Sequence, residues 1–237
     1  MTFEDFLSTV DDCRKTIVVY SSRADPDDLE GLATRNATVD YRRLPGDADG
    51  FAVVRDEEEF LGSISLEDLR TLLEPPLYRP RNLEDLSPGY RALYEVLAET
   101  LFSSLDRRQL LAASREIENR AWRVGHGTLR VGFQRLSAME AQIPVYATLA
   151  SETDLEIHVY GRDDWTGPEI PGVTVHGLEA GAEATDYWFL TFDGGPGDEQ
   201  ACALLAKERS PGEYAGFWTY DRDLVAKLAG YVRKTVG

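Results

Sequence analysis

Two hydrophobic periods alternate along this chain, and their order constrains its fold more than any single residue does. In residues 1–80 the short apolar runs KTIVVYS, ATVDYRRL, GFAVVRD and EEFLGSIS read as strands. Between them lie stretches with helical spacing. FEDFLSTVDDCR puts Phe3, Phe6, Leu7 and Val10 on one helical face. PDDLEGLATR opens with Pro26 and acidic residues, as helix starts do. SLEDLRTLLEPP carries Ser65 as a cap and Pro75-Pro76 as a stop. The mixture returns after residue 150, where DLEIHVYG, GVTVHGL, YWFLTFDGG, QACALLAKE and YAGFWTYD read as strands. DRDLVAKLAGYVRK, capped by Asp221, reads as the last helix. This interleaving predicts an α/β protein with two similar lobes, whose mixed, partly antiparallel sheets are joined by central helices.

The centre of the chain sets the expected boundaries. GYRALYEVLAETLF, DRRQLLAASREIENRAWRV and LRVGFQRLSAMEAQIPVYATLAS each read as helical, the second ending at GHG (125–127) and the third bending near Pro144. YRPRNLEDLSPG reads as a polar linker. We therefore expect an N-terminal lobe at 1–78, a linker at 79–88, and central helices with a second lobe at 89–237. The shared order of elements suggests a degenerate repeat, with residues 15–73 overlaying much of 154–231.

Composition enters where it excludes functions. The 237 residues include 42 acidic and 25 basic side chains, a net charge of −17, and the bases are 21 Arg but only 4 Lys. Such a charge opposes compaction in dilute buffer, and molar salt screens it. Acid-rich, Lys-poor sequences that retain Arg resemble those of halophiles with a salt-filled cytoplasm, so the charge reads as adaptation to solvent. Nucleic acid is an unfavourable partner for it. No apolar run is long enough to span a membrane and no secretory leader is visible, so the expected location is the cytoplasm. Cys13 and Cys202 read as reduced core residues. The histidines, His126, His158 and His176, lack the spacing of a helical metal site, and no metal site or cofactor is named.

Residues 81–150 carry 8 acidic and 9 basic side chains, against 18 and 9 in residues 1–80, so the only local basic excess lies at the centre. Arg107, Arg108, Arg115, Arg120 and Arg123 can bind an anion or an acidic partner, or pair internally as Glu116 and Arg120 would at i, i+4. FDGGPGD lacks the pattern of a phosphate loop and reads as a connection between strands. No GxSxG elbow is present, and paired carboxylates carry little information in so acidic a chain. His158 and His176 read as surface residues, able to meet on one sheet face if their strands pair. The late aromatics, Trp188 among them, suit core packing or a pocket for a planar effector.

DRRQLLAASREIENRA, GFQRL, HVYGRDDW, YWFLTFDGG, CALLAKE and GFWTYD together resemble the DICT sensory domain, named for its occurrence in diguanylate cyclases and two-component systems, over residues 100–235. SREIEN carries the most specific likeness. Cyanobacterial members look like S-H-x-I-E-D there, where this chain has Arg115 and Asn119. Residues 1–80 resemble the stand-alone haloarchaeal versions. The resemblance implies a non-catalytic sensory module that responds to a small effector or a partner's state, with light- or cell-state-linked signalling as its setting. No kinase, cyclase, receiver or helix-turn-helix segment occurs in these residues, so the expected output is contact with a signalling protein such as a kinase or a transcriptional regulator. The other readings are a structural or oligomer-forming interaction protein and an enzyme of unrecognised type. The expected ligand or partner residues are Ser114, Arg115, Glu118, Arg108, Gln134 and Trp188. Ser114 and Glu118 share a helical face, and Gln134 is expected to start the next helix and reach that face across the GHG turn. The plainer outcome is internal satisfaction, Glu118 by an Arg and Ser114 by a backbone carbonyl.

Overall fold

The computed structural model describes residues 1–12, 15–22, 37–46, 50–57, 59–73 and 99–236. Helix and strand interleave, and both sheets mix parallel with antiparallel pairs, so the fold is α/β. Contacts divide the chain into two units, Thr9–Leu101 and Met1–Ser8 with Phe102–Gly237. The expected linker at 79–88, the helix at 26–35, the Pro75-Pro76 stop and Cys13 lie outside the described residues.

The first unit is built on a four-stranded sheet of order β2-β1-β3-β4, with β1 at Lys15–Ser21, β2 at Ala37–Arg43, β3 at Phe51–Asp56 and β4 at Glu59–Ser65. β1 runs parallel to β2 and antiparallel to β3, and β3 runs antiparallel to β4. Helix α2 (Leu66–Leu73) follows β4 at once. Its cap is Ser65, whose Oγ accepts the Asp68 N–H at 3.0 Å, as the sequence predicts. Ile17, Val19, Val54, Ile64 and Leu69 form the core beneath it.

The second unit holds a seven-stranded sheet of order β5-β11-β10-β9-β6-β7-β8. Its strands are β5 (Glu99–Asp106), β6 (His126–Arg135), β7 (Asp154–Arg162), β8 (Val173–Leu178), β9 (Tyr187–Phe192), β10 (Cys202–Ser210) and β11 (Glu213–Thr219). Helices α3 (Arg107–Val124) and α4 (Ile143–Glu152) share one core with Leu129, Val131, Phe133, Ile157, Val159 and Trp188 of the sheet. The first turns of α1 (Phe3–Asp12) and helix α5 (Arg222–Val236) pack through rings, Phe3 lying 4.9 Å from Tyr187 and 5.1 Å from Tyr231. Asp221 caps α5 by accepting the Leu224 N–H at 2.8 Å.

Two expected helices differ where the structure describes them. Glu99–Phe102, the end of GYRALYEVLAETLF, belongs to β5, and the rest of that stretch lies outside the described residues. LRVGFQR lies in β6, and only after a 3-10 segment at Leu136–Gln142 does α4 begin, with Pro144 in its first turn rather than at a bend. Leu129, Phe133 and Leu136 satisfy helical spacing, but Leu129, Val131 and Phe133 satisfy period two equally well, and the sheet decides between them. The strand is also fixed by close packing. A Cβ on Gly132 would sit 2.0 Å from the Phe189 ring.

This reassignment shifts the likeness between the lobes. In the expected overlay β1 corresponds to β7 and β3 to β9, yet β6 lies between β7 and β9. Starting one strand earlier, β7-β6-β9-β10 has the order of β2-β1-β3-β4, with one parallel and two antiparallel pairs in the same places.

Candidate functional site

The expected site residues fall on and around α3, whose start is well fixed. Asp106 Oδ1 accepts the N–H groups of Arg108 and Gln109 at 2.8 Å each, and Gln109 Oε1 accepts the Asp106 N–H at 2.9 Å, a complete capping box. Gly125 ends the helix in the left-handed conformation, φ 77°, its N–H on the Ala121 carbonyl. Between these ends, Ser114 and Glu118 are buried at one helical turn's spacing on the face that meets the sheet and α4.

Each buried polar group there has partners. Ser114 Oγ donates to the Leu110 carbonyl at 2.9 Å and accepts from Trp188 Nε1 at 3.2 Å, so one hydroxyl ties α3 to β9. Glu118 is only 4% exposed. Its Oε1 accepts the Tyr146 hydroxyl at 2.6 Å, and its Oε2 takes the Arg115 guanidinium. That guanidinium also reaches Gln142 Oε1. A relay thus runs from α3 through a buried carboxyl to Tyr146 in α4 and to Gln142 just before it. Burial pushes the Glu118 carboxyl above its ordinary range, while Tyr146 and Arg115 pull it back. Burial and the adjacent carboxyl push the Tyr146 phenol well above its own ordinary range.

Among the expected residues, Ser114, Arg115, Glu118 and Trp188 are therefore brought together, and the set is satisfied internally. Trp188 also packs edge-on against Tyr214, with ring centroids 6.0 Å apart, and Arg107 lies over its ring at 5.8 Å. Arg108 is exposed, six residues or nearly two turns before Ser114. Gln134 stands apart. It lies in β6 rather than at a helix start, inside the register shift that separates Gly132 from Arg135. Its amide reaches Glu208 at 3.4 Å. Of the other α3 arginines, Arg123 pairs with Glu116 at 3.2 Å, and Arg120 holds Gln200 at 3.0 Å and lies over the Tyr220 ring at 4.6 Å.

Reading residues 129–151 as one helix hides Tyr146 and Gln142 from the sequence. β7 and β8 do pair, and the two histidines meet there as the sequence allows, in a second gathering of polar groups. His158 Nδ1 and His176 Nε2 lie 3.1 Å apart, and the Tyr160 ring stacks on His176 at 4.5 Å. Burial, then Arg130, lowers the basicity of both imidazoles. Cys202 is buried and free, its thiol pushed up to about 12 by burial, as an inert core residue should be. Asp193 organises the FDGGPGD connection between β9 and β10 by accepting the N–H groups of Thr128 and Gly195 at 2.9 and 3.0 Å. Among the described residues no three His, Cys, Asp or Glu side chains converge as a metal site would require, and no helix is long and apolar enough to cross a membrane.

The family described as "DICT: Sensory domain in DIguanylate Cyclases and Two-component system" matches residues 91–209. No curated protein matches the chain. A crystal structure of polyphosphate kinase from Porphyromonas gingivalis is similar over 100% of this chain and 49% of that one, at 10% identity and a TM-score of 0.42. The chain thus spans about half the length of that protein.

Proposed function

The chain belongs to the DICT family of sensory domains, and on that premise we propose that it is a cytoplasmic, non-catalytic module that reads a small effector or a partner's state and passes it on by protein contact. The receivers in this reading are signalling proteins such as kinases or transcriptional regulators, and the input is light- or cell-state-linked. The observation that carries the proposal is the relay from Arg115 and Glu118 to Tyr146. A signalling element needs two states separated by a few kcal/mol and a ligand that prefers one of them. A buried carboxyl joining two helices through single hydrogen bonds supports such an element, because protonation or displacement of Glu118 changes what holds α4 to α3.

Two further parts belong to the same reading. The acid-rich, Lys-poor composition supports a haloarchaeal cytoplasm. The order that β7-β6-β9-β10 shares with β2-β1-β3-β4, rather than the expected overlay of 15–73 on 154–231, supports descent of these parts from one duplicated unit.

The test is native mass spectrometry, with an absorption spectrum, of protein purified in high salt. A retained small molecule, present in the native and lost in the denatured spectrum, is the expected result. A bare chain mass together with self-association would favour the oligomer-forming interaction protein instead.

A further inference from the structure

On the sheet face opposite α3 and α4, four neighbouring strands bring basic and hydroxyl groups into one row. Arg130 of β6 is the register partner of His158 in β7 and of Thr191 in β9, and Tyr160 of β7 is the partner of His176 in β8. Register partners share a face, and i, i+2 residues of one strand do too, so all five side chains stand on the same side. Ile157 and Val159, which alternate with His158 and Tyr160, pack in the core on the other side.

Two features of this row are unexplained by folding alone. In a chain of net charge −17, Arg130 makes no ion pair among the described residues. Its guanidinium reaches the Tyr160 hydroxyl, but its Nε is buried without a hydrogen-bond partner. Beside it, Thr191 is fully buried and its Oγ1 also lacks a partner. Buried polar atoms are nearly always paired, so two orphans on adjacent strands, facing one way, require a reason. The histidines add to it. Their mutual contact uses one nitrogen of each ring, which leaves His158 Nε2 and His176 Nδ1 for something else. An open groove of about 510 Å³ lies beside His158, with Glu156, Gly172 and Thr174 in its wall, a size that suits a small molecule.

We propose that Arg130, His158, Tyr160 and His176 form a binding site for the phosphate group of a small molecule. The guanidinium and the phenol hydroxyl donate, and of the two outward imidazole nitrogens of the hydrogen-bonded pair one donates and one accepts. This set matches the oxygens and the remaining hydroxyl of a singly protonated phosphate. A guanidinium in a partly buried site binds phosphate in fork geometry. The negative charge of the whole chain does not forbid this, since salt screens distant charges within about 8–10 Å and leaves the local cluster to act. Glu156 is the carboxylate whose charge reaches His158. As an acceptor it suits a hydroxyl of the ligand rather than its phosphate. The site lies across the sheet from the Glu118 relay and stands whether or not that relay signals.

The test is a titration of the intact protein with inorganic phosphate, and separately with glycerol 3-phosphate, at an ionic strength held constant with KCl. The readout is the imidazole ring signals in NMR, with exposed His126 as an internal control. Saturable shifts of His158 and His176 with His126 unmoved are expected. Tighter binding of glycerol 3-phosphate assigns the ligand as a phosphoester, and tighter binding of inorganic phosphate assigns the free ion. Arg130→Gln should weaken binding at least about tenfold. His176→Gln, on the edge strand, serves the same purpose should Arg130→Gln fail to fold. Shifts that do not saturate, that move all three rings together, or that survive in a folded variant with unchanged affinity overturn the proposal.

Discussion

Glu118 is a carboxyl that the fold holds away from water yet surrounds with donors, and its titration is the most informative property of any single residue here. Burial raises its pKa above the ordinary value of 4.5, with Tyr146 and Arg115 acting against that. The linked stability is therefore fully present below the unfolded value and lost as pH rises through the folded one. Glu118→Gln keeps an acceptor for Tyr146 and removes the titration, so its stability relative to the wild type should improve as pH rises from the ordinary carboxyl value through the raised folded one, read by denaturant unfolding at a series of pH values. A difference independent of pH would show that Glu118 does not titrate abnormally. Tyr146→Phe removes the Glu118 partner at 2.6 Å and should cost about 1–3 kcal/mol, because a buried acceptor is left short of a donor. The histidines shift the other way. Burial and Arg130 lower both pKa values, so the stability they contribute is present above about 6.5 and lost as pH falls through the folded values. Ring NMR should place both midpoints below about 6.5, with His126 as comparison.

At the scale of elements, the segment 126–152 separates what is legible in the sequence from what is not. The caps are legible, because Ser65, Asp221 and Gly125 act locally and their geometry depends on a few neighbouring atoms. Strands β1–β4 and β7–β11 are legible as short apolar runs or as alternation. β6 is not, because its apolar residues fit both periods and the choice is made by β7 and β9, which flank it in space but not in sequence. Helical spacing there puts Gln134 at a helix start instead of in a strand and conceals Tyr146 as the partner of Glu118. The pairing of Ser114 with a backbone carbonyl and of Glu118 with Arg115 is foreseeable, since both are contacts within about one turn of the same helix. Gly132 tests β6 directly. In Gly132→Ala the new methyl meets the Phe189 ring, and overpacking of this kind should destabilise by about 1–3 kcal/mol. A neutral effect in thermal unfolding would contradict the register of β6 against β9.

For the whole molecule, charge is the property that reaches furthest. A net charge of −17 on 237 residues, with its acids concentrated outside residues 81–150, repels itself in dilute buffer, and molar salt shortens the screening length to about 3 Å. The melting temperature should rise strongly between dilute buffer and molar KCl, and a melting temperature indifferent to KCl would remove the halophilic reading. Once salt has removed that repulsion, the proposed signalling role rests on α3 and α4 moving as a jointed pair whose joint is Glu118. Hydrogen exchange of wild type and Glu118→Gln, at matched salt and pH, reads that joint. Amides in the second half of α3 and in α4 should change their exchange by about tenfold or more, while those of β9, β10 and β11 stay within about threefold. A uniform change across helices and sheet alike, or no change in α3 and α4, would show that Glu118 is not the joint.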